Sequence, residues 1–563
     1  MVLNHCASLY NFFASPNRLH IGIAIFFKNF LMPRYIPHHT DRKQLFSALE
    51  RFEQVDIIVI GGGATGLGIA LDAALRGCSV VLLEAQDFAQ GTSSRATKLL
   101  HGGVRYLAQG NISLVREALH ERSVLLSIAP HLAHPLPFVM PAYKCWEVPF
   151  YGTGLKAYDL MTGTNSLGRT QFLSPMRTQI ALPNLNTKRL KGGVMYWDAQ
   201  FDDARFALAL ARTASAHSAL LINYCPVSSF IIENDRVAGV RCTDAETQQS
   251  YQLRARCVIN ATGVWGDNMR KMLPSVQASG ARFRPLIKPS QGVHVVVDHE
   301  FLGADQAMLV PKTSDGRVLF AVPWLGKVIL GTTDTEREDT PLEPHAYKHE
   351  VDLILSEAAR YLAKAPTYQD IRSVWVGLRP LVQAQQSGAQ TKQLSREHVI
   401  QVDPEGLVTV TGGKWTTYRT MAEDVLVRCQ QHRLLPSGLP RSKTARTLLV
   451  GASVDLPTRF LTQAADLEQY GTEADWVRSM AGQDNELLPG FTEAMVRFAV
   501  RFEYARVVED VLARRSRWLF LDAAAAAKVA PQVAAIMEDE GITAPQLESF
   551  LEKAEQYSGQ DLI

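Results

Sequence analysis

Residues 55–107, VDIIVIGGGATGLGIALDAALRGCSVVLLEAQDFAQGTSSRATKLLHGGVRYL, leave this chain little choice of fold. They open on an apolar run, Val55–Ile60, that reads as a fully buried parallel strand. Gly61, Gly63 and Gly66 follow in G-x-G-x-x-G spacing, and helical sequence runs from 64 to 76. Gly77 stops the helix, and residues 79–83 supply a second strand ending at Glu84. The glycines answer three needs: a tight turn, close backbone approach to a pyrophosphate, and close helix–strand packing. The helix N-terminus turns unpaired N–H groups and the positive end of its dipole toward the phosphates. Glu84 stands where a carboxylate accepts both hydroxyls of a ribose. G-x-G-x-x-G alone is weak, but strand, glycines, helix, strand and acid in this order predict a dinucleotide site.

A chain of 563 residues has room for about 3–4 domain-sized units. A net charge of +2, with no run rich in Lys and Arg, argues against nucleic acid as a partner. Seven scattered cysteines include no CxxC pair, which argues against a zinc site, an iron–sulfur cluster or a disulfide framework; no metal is expected. Near the N-terminus the longest apolar stretch, 21–27, falls far short of the ~18 residues that span a bilayer. The first acidic residue is Asp41, and Arg18, Lys28 and Arg34 precede it among aromatic and apolar residues. Residues 1–50 therefore read as a leader, either an organelle transit peptide or an unstructured extension.

Three separated segments end a buried strand in small residues: 61–66, Ala261-Thr262-Gly263 after a strand at 257–260, and Gly412-Gly413 after a strand at 407–410. A long cofactor touching all three turns accounts for them together. Helices are expected at 113–128 and 201–217, and a strand at 220–224. The Pro-rich passage after Pro130 must be extended, whereas residues 140–200, rich in Gly, Thr and Tyr, read as loops with short helices. Antiparallel signals dominate 275–370, with a strand at 293–297 and a hairpin of 317–323 and 327–332 around Trp324, Leu325 and Gly326. Beyond about 440 the periodicity is helical, through 501–520 and 523–538. The expected division is a leader, a discontinuous cofactor-binding domain over 51–435 with an inserted substrate domain (about 135–200 and 275–370), and a helical domain over 440–563.

Chemistry-bearing residues gather beside these turns. Thr92, Ser93 and Ser94 offer hydroxyls and N–H groups to a pyrophosphate or a flat ring, and His101-Gly102-Gly103 lets such a ring come close. Arg105, Arg379, Arg396 and Lys414 each lie by a Gly- or Pro-marked turn. Each alone is an ordinary surface charge, but together they suggest a pocket for a small phosphate or carboxylate, with Arg supplying forked donors. His294, inside the apolar strand QGVHVVV, becomes a candidate general base in that company.

The combination resembles the FAD-dependent glycerol-3-phosphate dehydrogenases. The resemblance is carried by IGGGATGLGIALDAALRG, GTSSRATKLLHGGVRYL, ATGVWGDN, SDGRVLFAVPWLGKVILGTTDT, GLRPLV and GGKWTTYRTMAED, and continues into EYARVVEDVLARRSRWLFLD. Several segments are more similar to the mitochondrial branch than to the short bacterial one. The resemblance implies an α/β fold: an FAD-binding Rossmann-like domain, an antiparallel-sheet substrate domain of the D-amino-acid-oxidase-like kind, and a helical C-terminal domain. It implies oxidation of sn-glycerol 3-phosphate to dihydroxyacetone phosphate, with a hydride passing to FAD and electrons to a membrane quinone.

Motif by motif, Gly61, Gly63, Gly66, Glu84, Thr92, Ser93, Ser94, His101, Gly102, Thr262, Gly263, Gly412, Gly413 and Thr416 would hold FAD. Arg105, Arg379, Arg396 and Lys414 would hold the phosphate or polarise the C2 oxygen, and His294 or one of the basic groups would be the base. The enzyme would lie on the surface of an energy-conserving inner membrane without spanning it, and a homodimer remains an open expectation. The stretch PLVQAQQSGAQTKQLS between Arg379 and Arg396 lacks the acids often found there, and no calcium-loop pattern follows the helical segment. An oxidase that uses O2, an amine or amino-acid oxidase on the same fold, and a non-catalytic flavin-binding protein are the rival readings.

Overall fold

The computed structural model describes residues 40–562 except 104–110, 164–165, 280–282, 315, 332, 384–397 and 457–459. Arg105 and Arg396, both drawn into the anion pocket from sequence, and Thr332 at the end of the expected hairpin lie outside the described residues.

The first sheet grows from the apolar runs. Its strands stand in the order His398–Val402, Val408–Gly412, Ser250–Asn260, Val55–Ile60, Val80–Leu83 and Leu220–Ile222. All neighbours are parallel except the outermost pair, 398–402 with 408–412. Helices cover its faces, which is why Ile57, Ile58 and Val59 are all fully buried and the strand reads as continuously apolar. The strands Val227–Glu233 and Arg236–Thr243 form a ribbon that runs on into Ser250–Asn260.

The second sheet is mainly antiparallel and holds most of residues 99–382 that are strand but not in the first. Its long central strands are Ala133–Ala142, Gly192–Phe201, Ile287–Asp298 and Ser373–Val382. The expected hairpin forms from Leu319–Trp324 and Lys327–Gly331, and Leu325 and Gly326 both take positive φ (47° and 81°) at its two-residue turn. Along the facing strands His294 pairs with Trp375 and Ser290 with Arg379, so these four side chains share one face.

The helices Glu493–Phe502, Ala523–Asp539 and Leu547–Ser558 bury Val496, Phe498, Val533 and Phe550 in one cluster with Val296, Trp324, Ile329 and Trp375 of the second sheet. No helix among the described residues is long and apolar enough to cross a membrane.

Two expectations need correction. Residues 140–200 contain a 16-residue helix, Glu147–Thr162, and a 10-residue strand, Gly192–Phe201, where loops and short helices were expected. The helix was concealed because its two glycines and outward apolar residues break the usual amphipathic period. The helical run 501–520 is also interrupted. Its first helix ends at Phe502, Tyr504 takes φ 59°, and helical structure resumes at 508–515 and Trp518–Leu521.

Candidate active site

A cavity of about 380 Å³ opens along the carboxyl ends of the parallel strands. Its floor is the first turn, Gly61 to Ala64, and its sides come from Glu84, residues 91–93, residues 261–265 and residues 410–415. All three small-residue turns therefore meet at one site, although about 150 residues or more separate each from the next in sequence.

The first turn is shaped by what it excludes. Gly61 has φ +107°, and a Cβ there would lie 2.7 Å from the Ala261 carbonyl oxygen. A Cβ on Gly66 would run into the Gly61 carbonyl, so Gly66 does not line the cavity but lets the helix Ala64–Leu75 close on the strand. Gly63 stands at the N-cap without a side-chain cap, while the Ser93 hydroxyl accepts from Ala64 N–H at 2.9 Å. Glu84 accepts from Gly62 N–H (2.5 Å) and Gln86 N–H (2.8 Å), and burial pushes its carboxyl above the usual range against those donors. Space remains beside Gly263 (φ +59°), where a Cβ would meet nothing within 4 Å. A cradle of close-approach glycines, a carboxylate at the second strand end and a helix N-terminus facing the cavity fits the adenine-dinucleotide half of FAD.

Neighbouring side chains fix the turns. Asn260, on the last residue of its strand, donates to Gly266 O (2.9 Å) and Thr409 Oγ1 (3.2 Å) and accepts from Thr262 Oγ1 (2.8 Å). Thr92 Oγ1 donates to Leu378 O (2.5 Å), laying residues 91–95 across the strand that carries Arg379. Trp415 donates to Ser93 O at 2.9 Å and Trp265 to Thr340 O at 2.9 Å, so two indoles frame the cavity. The sequence does not single out Asn260, Trp265 or Trp415, although ATGVWGDN and GGKWTTYR hold both indoles beside the glycines.

Gly412, Gly413 and Lys414 line the same cavity, as do Thr92, Ser93, Thr262 and Gly263. Ser94, His101, Gly102 and Thr416 do not. Ser94 is buried, and its carbonyl accepts from Lys98 Nζ (2.6 Å) and Arg517 (2.9 Å). Gly102 N–H donates to Asp198 (3.3 Å), and a Cβ there would strike Leu119 and Tyr158. Thr416 is buried in the short turn Trp415–Thr417.

His294 and Arg379 stand on one face of the second sheet and do not line the cavity, although Pro380, next to Arg379, does. His294 is buried, stacks on Trp375 with ring centroids 4.0 Å apart, and shares a 2.9 Å hydrogen bond between Nε2 and Thr97 Oγ1. Burial, with Arg379 and Lys98 nearby, holds its imidazole well below the usual histidine range, so the ring is neutral near pH 7. Arg379 donates to Thr333 O (3.0 Å) and lies 3.3 Å from the Asp334 carboxylate.

Behind His294 and Trp375 sits a group the sequence did not reveal. Lys98, fully buried, donates to both oxygens of Asp203 (2.9 and 2.8 Å) and lies 4.7 Å from the Trp375 ring centre. Arg517 of the C-terminal segment donates to the same carboxylate at 2.9 Å. Burial and the Arg517 charge push Lys98 down to about 7.

A parallel nucleotide sheet whose strand ends face an antiparallel sheet across such a cavity defines an FAD-dependent oxidoreductase. A family model described as FAD dependent oxidoreductase matches residues 56–422, and one described as the C-terminal domain of alpha-glycerophosphate oxidase matches 442–542. The chain is similar to the mitochondrial glycerol-3-phosphate dehydrogenase of Macaca fascicularis, 40% identical over 532 residues, covering 88% of this chain and 72% of the relative. It is 39% identical over 546 residues to the probable mitochondrial glycerol-3-phosphate dehydrogenase of Caenorhabditis elegans, covering 91% and 74%. The crystal structure of the Bacillus halodurans glycerol-3-phosphate dehydrogenase complexed with FAD superposes with TM-score 0.71 at 28% identity, covering 92% of this chain and 97% of that one. The chain belongs to the family of FAD-dependent glycerol-3-phosphate dehydrogenases.

Proposed function

We propose that this chain oxidises sn-glycerol 3-phosphate to dihydroxyacetone phosphate and delivers the electrons to a membrane quinone, working at the surface of an energy-conserving inner membrane. The observation that carries the reading is a dinucleotide cradle at the strand ends of the first sheet whose cavity also takes in Pro380 of the second sheet and Lys414. His294 and Arg379 stand on one face of that second sheet, with Arg379 next to Pro380. Its relatives are named mitochondrial, which supports that setting.

Gly61, Gly63, Glu84, Thr92, Ser93, Thr262, Gly263, Gly412 and Gly413 are the residues we assign to FAD. When bound, FAD supplies the two-electron acceptor for the hydride that leaves C2. Arg379 presents forked donors to the substrate phosphate, with its Asp334 contact fixing the orientation. Lys414, at the glycine turn on the cavity wall, places a positive charge beside developing negative charge. His294 is neutral near pH 7, the state that accepts a proton, and its Nδ1 has no hydrogen-bond partner among the described residues. It takes the C2 hydroxyl proton at that atom as the C–H bond breaks and the carbonyl forms. We assign the catalytic unit to residues 51–435, with the substrate part inserted at about 135–200 and 275–370, and a helical unit to 440–563.

Anaerobic mixing with sn-glycerol 3-phosphate tests cofactor, substrate and reaction together. The oxidised flavin absorbance is expected to bleach, and to return on adding a quinone analogue. An absorbance that substrate leaves unchanged would overturn the reading. Peroxide formed in air in equal amount to substrate consumed would replace the quinone by O2.

A further inference from the structure

Residue 98 takes an unfavoured backbone conformation beside His294. Lys98 has φ 64°, a left-handed geometry that strains any residue carrying a Cβ, and it is fully buried rather than set in a surface turn. Through this bend two consecutive side chains address one pair of rings. Thr97 Oγ1 and His294 Nε2 share a hydrogen bond of 2.9 Å, and His294 stacks on Trp375 with ring centroids 4.0 Å apart. The Lys98 amine lies 4.7 Å from the Trp375 ring centre and 5.2 Å from those of Trp324 and Phe520. Thr97 thus holds the imidazole of the stack, and Lys98 the indole beneath it.

The amine is built in as a cation. It has three acceptors within hydrogen-bond distance, Ser94 O (2.6 Å) and the two Asp203 oxygens (2.9 and 2.8 Å). Three acceptors take up three N–H bonds, which only the ammonium form has, and the surrounding rings suit a positive charge. Burial and Arg517 act against that charge and bring Lys98 down to about 7, while Asp203 and Asp202 support it. Lys98 is therefore largely protonated across the acid range in which an ordinary imidazole, at about 6.5, gains its second proton. Around His294 burial, then Arg379, then Lys98 all oppose that proton. Arg379 leans on Asp334 and is the group we assign to the substrate anion, which cancels its charge once bound. Nearby, Arg95 and Tyr557 both pair with Glu343 (2.8 and 2.9 Å). The charge on Lys98 stays in place whether or not substrate is bound.

We propose that Lys98 is a positioning residue for substrate oxidation: its ammonium, anchored on Asp203 and Ser94 O, holds the Trp375 ring against His294 and sets a lasting positive charge beside the imidazole. Lys98 touches neither substrate nor flavin and acts through Trp375 and His294. The proposal rests on the reading above of His294 as the base. With the charge in place, His294 meets the C2 hydroxyl with Nδ1 free to accept. Once it has taken the hydroxyl proton, like charge on Lys98 drives that proton on to water, and the base is ready for the next turnover.

The test follows the imidazole itself, by nitrogen NMR of holoenzyme with labelled histidine, the His294 signal being the one lost in His294→Asn. Beside it, kcat/KM for sn-glycerol 3-phosphate is measured against pH. In wild type the ring is expected to stay neutral well below pH 6.5. In Lys98→Met it is expected to gain its proton about one pH unit higher, and the acid limb of kcat/KM to move with it. Lys98→Arg, which keeps the charge, is expected to leave both in place. Lost packing alone would lower kcat/KM at every pH without moving the limb. If Lys98→Met fails to hold flavin, Lys98→Met/Asp203→Asn removes one charge of each sign, and a smaller upward shift is expected there. A ring titration unmoved in the folded variant, or moved equally in Lys98→Arg, overturns the proposal and leaves the oxidation reading intact. A ring titration that moves while the limb stays put removes His294 as the base, and the role of Lys98 in the reaction falls with it. A wild type that leaves the substrate unoxidised counts against the oxidation reading, and the ring titration still decides whether Lys98 governs His294.

Discussion

Arg379 shows how little a side chain's chemistry depends on charge alone. Its guanidinium is partly exposed, donates to a backbone carbonyl and leans on Asp334, so its direction is set before any ligand arrives. Arg379→Ala is expected to raise KM for sn-glycerol 3-phosphate about 30- to 150-fold, equivalent to about 2–3 kcal/mol of lost phosphate contact, while bound FAD is unchanged. Steady-state kinetics beside flavin content per protein checks this, and an unaltered KM removes Arg379 from the pocket. The motifs around Arg379 and His294 suggest one site, but what brings the two to one face, and His294 onto Trp375, is a strand register that local sequence does not encode.

At the level of elements, local pattern and tertiary constraint divide the legible from the hidden. The strand–glycine–helix–strand unit was readable because every device in it acts within a few residues. The helix Glu147–Thr162 was not, since Phe150 and Leu160 stand exposed and break the amphipathic period. Equally invisible was the tie between the segment after Ser93 and the C-terminal elements, where Lys98 and Arg517 share the Asp203 carboxylate without solvent. Lys98 alone looks like a surface lysine in TSSRATK. Removing one member of such a group leaves buried charge uncompensated. Arg517→Met is therefore expected to destabilise the protein by about 3–5 kcal/mol, read as a lowered melting temperature with earlier flavin release. A melting curve that does not move would mean the neighbouring carbonyls and rings carry the tie.

The whole molecule carries a pH dependence set by buried imidazoles. His131 lies where residues before the second sheet meet Gly451 and Gly471, with Arg205, Arg212, Glu473 and Glu503 around it. Burial and the Arg205 charge bring it down to about 3 from an ordinary 6.5. As pH falls from 6.5 toward 3, the unfolded chain takes up a proton that the folded chain refuses, so stability is lost across that window. The slope approaches about 1.4 kcal/mol per pH unit for one such group, and His294 acts in the same direction. Urea midpoints measured between about pH 4.5 and 7 are expected to fall with acid, and His131→Gln to flatten the fall. Equal slopes in both proteins would place the titration elsewhere.

The strand order also sets a timetable. Val55–Ile60 must lie beside Ser250–Asn260, which in turn needs Val408–Gly412, so the cofactor cradle closes only when the ribosome has passed residue 412. At about 5–20 residues per second, some 20–70 s separate the emergence of the first glycine turn from that of the last. Throughout that interval the nascent chain holds a largely apolar strand without its final neighbours, and flavin has no complete place to bind. Cofactor capture is thus a late event, and the burden of keeping the early half soluble falls on whatever attends the chain as it is made.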